Sequence, residues 1–139
     1  MQKIILDTNV LVSSLIQRSY PYQIVVEILT GNKIELCISD ALMLEYYEVL
    51  NRRKFSKYPD FLLRAELLLA DIERKSISFR PQIKLDIISD AADNRLLELA
   101  TESNADFLVS GNTNDFTMQR YNNTEIISPK DYYENFLRR

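Results

Sequence analysis

The residues with the strongest chemical potential are carboxylates placed at the ends of apolar runs. Asp7 closes the run Lys3-Ile4-Ile5-Leu6-Asp7-Thr8-Asn9. That run is too short for a helix core, and its continuous apolar character predicts a strand buried on both faces. Val10-Leu11-Val12 and Leu15-Ile16 then resume at helical spacing, so Asp7 falls where a strand gives way to a helix. In open α/β sheets that carboxyl edge is where ligands bind. Asp93 lies in Asp90-Ala91-Ala92-Asp93-Asn94, which leads into the helical pattern Leu96-Leu97, Leu99-Ala100. Asn112 ends a second short apolar strand, Asp106-Phe107-Leu108-Val109, followed by Ser110-Gly111. If the two strands are neighbours, these groups share one crevice, and Glu45 can reach it from the helix between them. Carboxylates gathered in an interior repel one another unless a cation intervenes. An oxygen-only donor set selects a hard ion, Mg²⁺ or Mn²⁺. Such an ion neutralises charge developing on a phosphoryl group and acidifies bound water.

Each acid also has a plainer explanation. Asp7 is well suited to cap the following helix. Asp90 and Asp93 have the spacing of an N-cap and its N3 partner, a modified capping box. Glu45 alone reads as a solvated helix carboxylate. The site reading rests on the acids converging.

Composition narrows the chemistry further. The 139 residues include no histidine, which removes Ser-His-Asp and Cys-His catalysis and any imidazole-ligated zinc or haem. The single cysteine, Cys37, sits in Ile34-Glu35-Leu36-Cys37-Ile38 and reads as a buried strand thiol; no intrachain disulfide can form, which fits a reducing compartment. A secretory signal is not expected, because Asp7 interrupts what would be its apolar core. No apolar stretch reaches membrane-spanning length. These readings predict a cytoplasmic protein with no membrane association. A net charge of −3 argues against strong nonspecific binding to nucleic acid, while leaving room for a local basic patch. Length and an even composition predict a single domain over residues 1–139. With two glycines and four prolines, there is little material for linkers or tight hairpins.

The remaining pattern supplies the scaffold. A helix is expected over 22–29, with Pro21 near its start and Gly31 at its end. A strand over 34–38 follows, and then a helix over 40–51 capped by Ser39. On that helix Leu42, Tyr46 and Val49 should face the core, with Leu50 at their edge and Glu45 at the interior margin. Arg52, Arg53, Lys54 and Lys57 come next, interleaved with Phe55 and Tyr58. Cations there complement the helix dipole, and they also suit contact with a nucleic-acid backbone. The helix expected over 59–75 is apolar around much of its circumference, so it either lies deep or meets a partner. Residues 77–79 alternate like a short strand. Ile126-Ile127 forms the last strand, and Ser128-Pro129 opens a terminal helix. Strands alternating with helices predict a parallel, three-layer α/β fold.

In order and spacing, these motifs resemble those of PIN-domain ribonucleases, particularly the small VapC-like toxins of toxin–antitoxin pairs. The resemblance is carried by Ile4-Ile5-Leu6-Asp7-Thr8-Asn9-Val10-Leu11, by Glu45 with Val49-Leu50 and Arg52, and by Asp90 to Asn94 with Leu96-Leu97-Glu98-Leu99-Ala100. Ala105 to Asn112 and Ile126-Ile127-Ser128-Pro129 complete it. It implies an α/β/α fold with a five-stranded parallel sheet, and Asp7, Glu45 and Asp93 as a catalytic acidic core around one or two Mg²⁺ or Mn²⁺ ions. It further implies endonucleolytic RNA cleavage, by a metal-activated water attacking the phosphodiester in line. Many relatives carry an Asp where this chain has Asn112, whose amide oxygen can ligate metal without contributing charge. Asp115 or Asp90 could restore that charge. Asn9 and Ser110 are expected to orient Asp7, and Arg52, Arg53, Lys54 and Lys57 to meet the RNA. A small antitoxin and a second copy of the chain are the expected protein partners.

Three rival readings compete with this one. A non-catalytic PIN-like module that binds RNA or protein would keep the fold with a weakened metal site. A phospho-acceptor receiver needs paired acids after the first strand and a lysine ending the last, which Asp7-Thr8-Asn9 and Ser128-Pro129-Lys130 do not provide. An Asp-x-Asp phosphatase fails because position 9 is Asn.

Overall fold

A computed structural model describes residues 1–138. Its central strand is β1 (Gln2–Leu6), in which Ile4, Ile5 and Leu6 are fully buried, as expected of a strand covered on both faces. β1 pairs in parallel with β2 (Ile34–Ile38) on one side and with β4 (Phe107–Val109) on the other. β4 in turn pairs in parallel with β6 (Thr124–Ile127), and β2 with the short β3 (Ile77–Ser78). The register Leu6↔Val109 and Val109↔Ile127 brings the carboxyl ends of three strands level. Asp7 and Ser110, each one residue beyond its strand, therefore sit side by side at that edge. Backbone bonds fasten them there: Asp7 N donates to Val109 O at 2.9 Å, and Ser110 N to Ile127 O at 3.0 Å.

The sheet departs from the expected five parallel strands. It has six, in the order β3-β2-β1-β4-β6-β5, and β5 (Arg120–Tyr121) runs antiparallel to β6. A tight hairpin joins this last pair without glycine. Asn122 takes the left-handed backbone conformation, φ 53°, which asparagine tolerates better than most residues. The scarcity of glycine was thus a poor guide to hairpins here.

Around the sheet, α1 (Thr8–Ile16) packs against α2 (Tyr20–Thr30), α3 (Asp40–Leu50) and α4 (Phe61–Lys75), and α5 (Ala91–Ser103) lies against β1 and β2. A short α6 (Pro129–Tyr132), capped by Ser128, continues into a π-helical turn over Tyr133–Leu137. The buried stripe of α3 consists of Leu42, Tyr46 and Leu50, while Val49 is only half-buried. This corrects the expected order of those two residues. The stripe centres on Tyr46; Leu42 and Leu50 flank it at four-residue spacing, and Val49 falls at its margin. α4 buries Phe61, Ala65, Leu68, Leu69 and Ile72 but leaves Leu62, Leu63 and Leu67 half or more exposed. Among the described residues, no helix is long and apolar enough to cross a membrane.

The segment 80–89 has no regular structure and is held by α5. Asn94 is buried; its Oδ1 accepts from the amides of Ile87 and Ile88, both at 3.1 Å, and its Nδ2 donates to Ile88 O at 2.7 Å. Glu98 accepts from Leu85 N at 2.8 Å and from Arg95 Nε at 2.8 Å, and Arg95 Nη2 donates to Leu85 O at 3.1 Å. Buried backbone that lacks a ladder must find partners of this kind. The result fixes where α5 starts, and hence where Asp93 stands.

Candidate active site

Asp7 occupies the N-cap position of α1, yet its carboxylate makes no capping bond. The plainer reading of this residue is thereby removed. Instead, Asp7 Oδ2 accepts from Ser110 Oγ at 2.8 Å and from Asn9 Nδ2 at 3.3 Å. Each orienting residue is itself tied to the loop after β4: Ser110 Oγ accepts from Asn112 N at 3.0 Å, and Asn9 Oδ1 accepts from Gly111 N at 2.9 Å. A Cβ on Gly111 would stand 3.3 Å from Asn9 Oδ1, so the close approach of this loop favours a residue without a side chain. Every donor that holds the Asp7 carboxylate is neutral: the Ser110 hydroxyl, the Asn9 amide and the backbone of Thr8.

Glu45 joins from α3, where the Thr8 hydroxyl donates to its Oε2. Tyr46, buried next to it, donates from its hydroxyl to Leu6 O at 2.6 Å, pinning α3 to the last residue of β1. Asp93 comes from the first turn of α5, half-buried. Its neighbour Asp90 caps that helix, with Oδ1 accepting from Ala92 N at 2.8 Å and Asp93 N at 3.2 Å. The capping reading therefore holds for Asp90 and leaves the Asp93 carboxylate free of hydrogen bonds among the described residues. Asp115, exposed, ends a 3₁₀ turn over Thr113–Asp115 just past Asn112.

Electrostatics bind these acids into one group. Burial raises the pKa of Asp7, and the charges of Glu45 and Asp115 raise it further; the Ser110 hydroxyl and the Thr8 amide act in the opposite direction. Burial pushes Asp93 up to about 7, followed by the repulsion of Asp90, Asp7, Asp115 and Glu45. Tyr46 is also raised, first by burial and then by Asp7 and Glu45. No cation pairs with Asp7, Glu45 or Asp93 among the described residues. No group of three or more acids there is gathered closely enough to hold one ion by itself.

The basic residues stand apart. Arg52, Arg53, Lys54 and Lys57 are exposed beyond the end of α3, with Arg52 pairing loosely with Glu48 at 3.8 Å. Lys54 and Lys57 lie over the rings of Phe55 and Tyr58. Glu45 precedes the last residue of α3 by five positions, about 7–8 Å along the axis, so the cluster begins near the acids without touching them.

Sequence reasoning placed Tyr46 in the core and Thr8 and Asn94 within motifs, but gave none of them a part in positioning the acids. Thr8 reaches an acid 37 positions away, and Tyr46 fastens a strand 40 positions away. Such pairings leave no periodic signal. Asn94 follows Asp93 directly, and an amide at the fourth position of a helix was the available hint of a loop to be held.

A protein-family model described as PIN domain matches residues 3–114, from β1 through the loop that carries Asn112. The match includes Asp7, Glu45, Asp93 and Asn112 and stops one residue short of Asp115. No curated protein matches the chain significantly.

Proposed function

The chain belongs to the PIN-domain family, whose members are nucleases in general, and on that footing we propose that it is a divalent-metal-dependent endoribonuclease. The observation that carries this reading is Asp7, a carboxylate at the carboxyl edge of the central strand. It declines the helix cap beside it, is oriented by Ser110 and Asn9, and faces only like charge.

The donor set fits a hard cation. It offers oxygens alone, partly desolvated and mutually repelling. Mg²⁺ usually takes one or two carboxylates and fills its shell with water and substrate phosphate oxygens. Asp7 and Asp93 would hold Mg²⁺ or Mn²⁺ directly or through one water, with Glu45, Asn112 and Asp115 completing the shell. Bound there, the ion would neutralise charge on the phosphoryl group and lower the pKa of a water. The chain's own part is positional. Ser110 and Asn9 fix the Asp7 carboxylate, Thr8 fixes Glu45, and the Asp90 cap with the Asn94 clamp fixes the start of α5 under Asp93. Arg52, Arg53, Lys54 and Lys57 would hold the RNA backbone by charge, with Phe55 and Tyr58 as stacking surfaces.

Two partners follow from the exposed leucines of α4. Leu62, Leu63 and Leu67 form an apolar patch, suited to a second copy of the chain or to a small antitoxin, and the protein would then be the cytoplasmic toxin of a toxin–antitoxin pair. Light scattering should show a dimer; a monomer at all concentrations would leave the antitoxin as the occupant of that face.

The deciding experiment is cleavage of defined RNAs by wild-type, Asp7→Asn and Asp93→Asn proteins, with and without Mn²⁺. We expect cleavage that requires the ion and falls at least 100-fold in either variant, a loss on the order of 3 kcal/mol of transition-state stabilisation. One observation favours the rival non-catalytic module, namely that no three acids close on an ion. Metal-independent RNA binding without cleavage, unchanged by Asp7→Asn, would establish that rival instead.

A further inference from the structure

Beside the acids, at the same edge of the sheet, lies a cleft of about 730 Å³ that the cleavage chemistry does not use. It opens between the loop after β4, the end of β6 and the start of α6, and neither Asp7, Glu45 nor Asp93 lines it. One segment forms the wall between the two. Asp115 acts electrostatically on Asp7 and Asp93, whereas Thr113, Asn114 and Phe116 from the same turn line the cleft. Ile127 also lines it, and Ile127 O accepts from the amide of Ser110, the residue that orients Asp7. The cleft is therefore the next site along the edge from the acids.

Its chemistry is unlike that of a phosphate site. Asn114, Thr117 and Gln119 contribute amides and hydroxyls. Arg120 is the one cation among the described lining residues, and it is paired with Glu125 at 3.5 Å. Asp131 then leaves the lining with an excess of negative charge. An anion would be repelled. A neutral, flat group carrying hydrogen-bond donors would be accepted, with half-buried Met118 offering apolar surface to its face. The volume falls within the range of small-ligand pockets.

Resting on the nuclease reading above, we infer that this cleft is a nucleobase subsite that reads one base flanking the scissile phosphate. Amide side chains recognise base edges by paired bonds, and carboxylates accept from exocyclic amines. Asn114 and Gln119 supply the amides and Asp131 a carboxylate outside the Arg120–Glu125 pair, so the cleft favours a base with an exocyclic amine, such as adenine or cytosine, over uracil, which has none. Asn114 and Gln119 are the specificity-determining residues.

Two measurements test this separately from catalysis. Adenosine, cytidine, uridine and inorganic phosphate are titrated into the wild-type protein, and the amide resonances of residues 113–120 are followed by NMR. Adenosine or cytidine should shift them with at least about fivefold higher affinity than uridine, the scale of one good base contact, and phosphate should leave them in place. No response to any nucleoside, equal response to uridine, or binding of phosphate there overturns the subsite. Cleavage of RNAs varied at each position beside the cut site is then compared between wild type, Asn114→Ala and Gln119→Ala. The ratio of amino-bearing base to uracil at one position should fall about fivefold or more in the variants; an unchanged ratio overturns the assignment. A wild-type protein that cleaves no RNA removes the nuclease reading, while the nucleoside titration still decides the subsite.

Discussion

Glu98 and Asp7 are both carboxylates withdrawn from water, and the protein treats them in opposite ways. Glu98, 5% exposed, meets Arg95 on both oxygens and the Leu85 amide besides. Its charge is neutralised and its lone pairs are occupied, as a buried ion requires. Asp7 meets only neutral donors, and its charged neighbours are Glu45 and Asp115. Asp93, at the start of the helix that carries Glu98, shares the condition of Asp7 rather than that of Glu98. The chain thus neutralises the acid that holds a loop and leaves un-neutralised the acids at the sheet edge. Unrelieved repulsion of this kind lowers stability, and perturbed acids cluster at functional sites, which makes these acids the ones to mutate.

The contrast breaks most sharply by mutation. Asp7→Asn should remove cleavage by 100-fold or more while leaving the melting temperature equal or higher, since it relieves repulsion and keeps the size of the side chain. Glu98→Ala should do the reverse. It strands the Leu85 amide and Arg95, whose side chain is one-third exposed, so the discounted cost is about 1–3 kcal/mol. That corresponds to a fall of roughly 4–12 °C in melting temperature for a chain of this size. Thermal melts and cleavage rates on both variants read the two effects. A large thermal loss in Asp7→Asn would place Asp7 with Glu98 as a structural acid.

A second, smaller effect separates the groups by pH. Asp93 binds its proton more tightly in the folded state, at about 7 against an ordinary 3.8, and Asp7 is raised in the same direction. Folding therefore takes up protons between those values. The contribution is fully present below the unfolded pKa and is lost as pH rises through about 7. Without divalent ions the melting temperature should fall by a few degrees from pH 5 to pH 8, and Asp93→Asn should flatten that slope. Mn²⁺ should raise the melting temperature more at pH 8 than at pH 5, where Asp93 must first release a proton. Equal stabilisation by Mn²⁺ at both values would show that the ion binds elsewhere.

The sequence disclosed what is local and periodic. The buried run before Asp7, the Ser39 and Ser128 caps and the strand at Phe107–Val109 each carry their own signal, and the structure has them all. What it concealed depends on contacts across the chain. Whether Asp7 caps α1 cannot be read locally, because the competing Ser110 hydroxyl lies 103 positions away. Leu50 outranks Val49 because Tyr46 sets the stripe by reaching back to β1. β5 was missed because a two-residue strand has no period, and its turn uses asparagine in place of glycine. The irregular 80–89 segment shows its order only through side chains of α5.

The smallest expected effect concerns Asn112, an amide beside the acids at the sheet edge. Its backbone is already coupled to the site, since Asn112 N donates to the Ser110 hydroxyl that donates to Asp7. Its side chain is exposed at the mouth of the crevice. Asn112→Asp would add a fourth charge near Asp7, Asp93 and Asp115, screened by water at that position. The variant should bind Mn²⁺ a few-fold more tightly and, without the ion, melt about 1–2 °C lower at pH 8, with little change at pH 5, where Asp93 is protonated. Calorimetric titration and melts at the two pH values measure both. If neither changes, position 112 stands outside the reach of the ion, and Asp115 is the acid that completes the set. The contrast between Glu98 and Asp7 would survive that result with its boundary redrawn: the un-neutralised group would be Asp7, Glu45, Asp93 and Asp115, with the amide of Asn112 serving only to close the loop over Ser110.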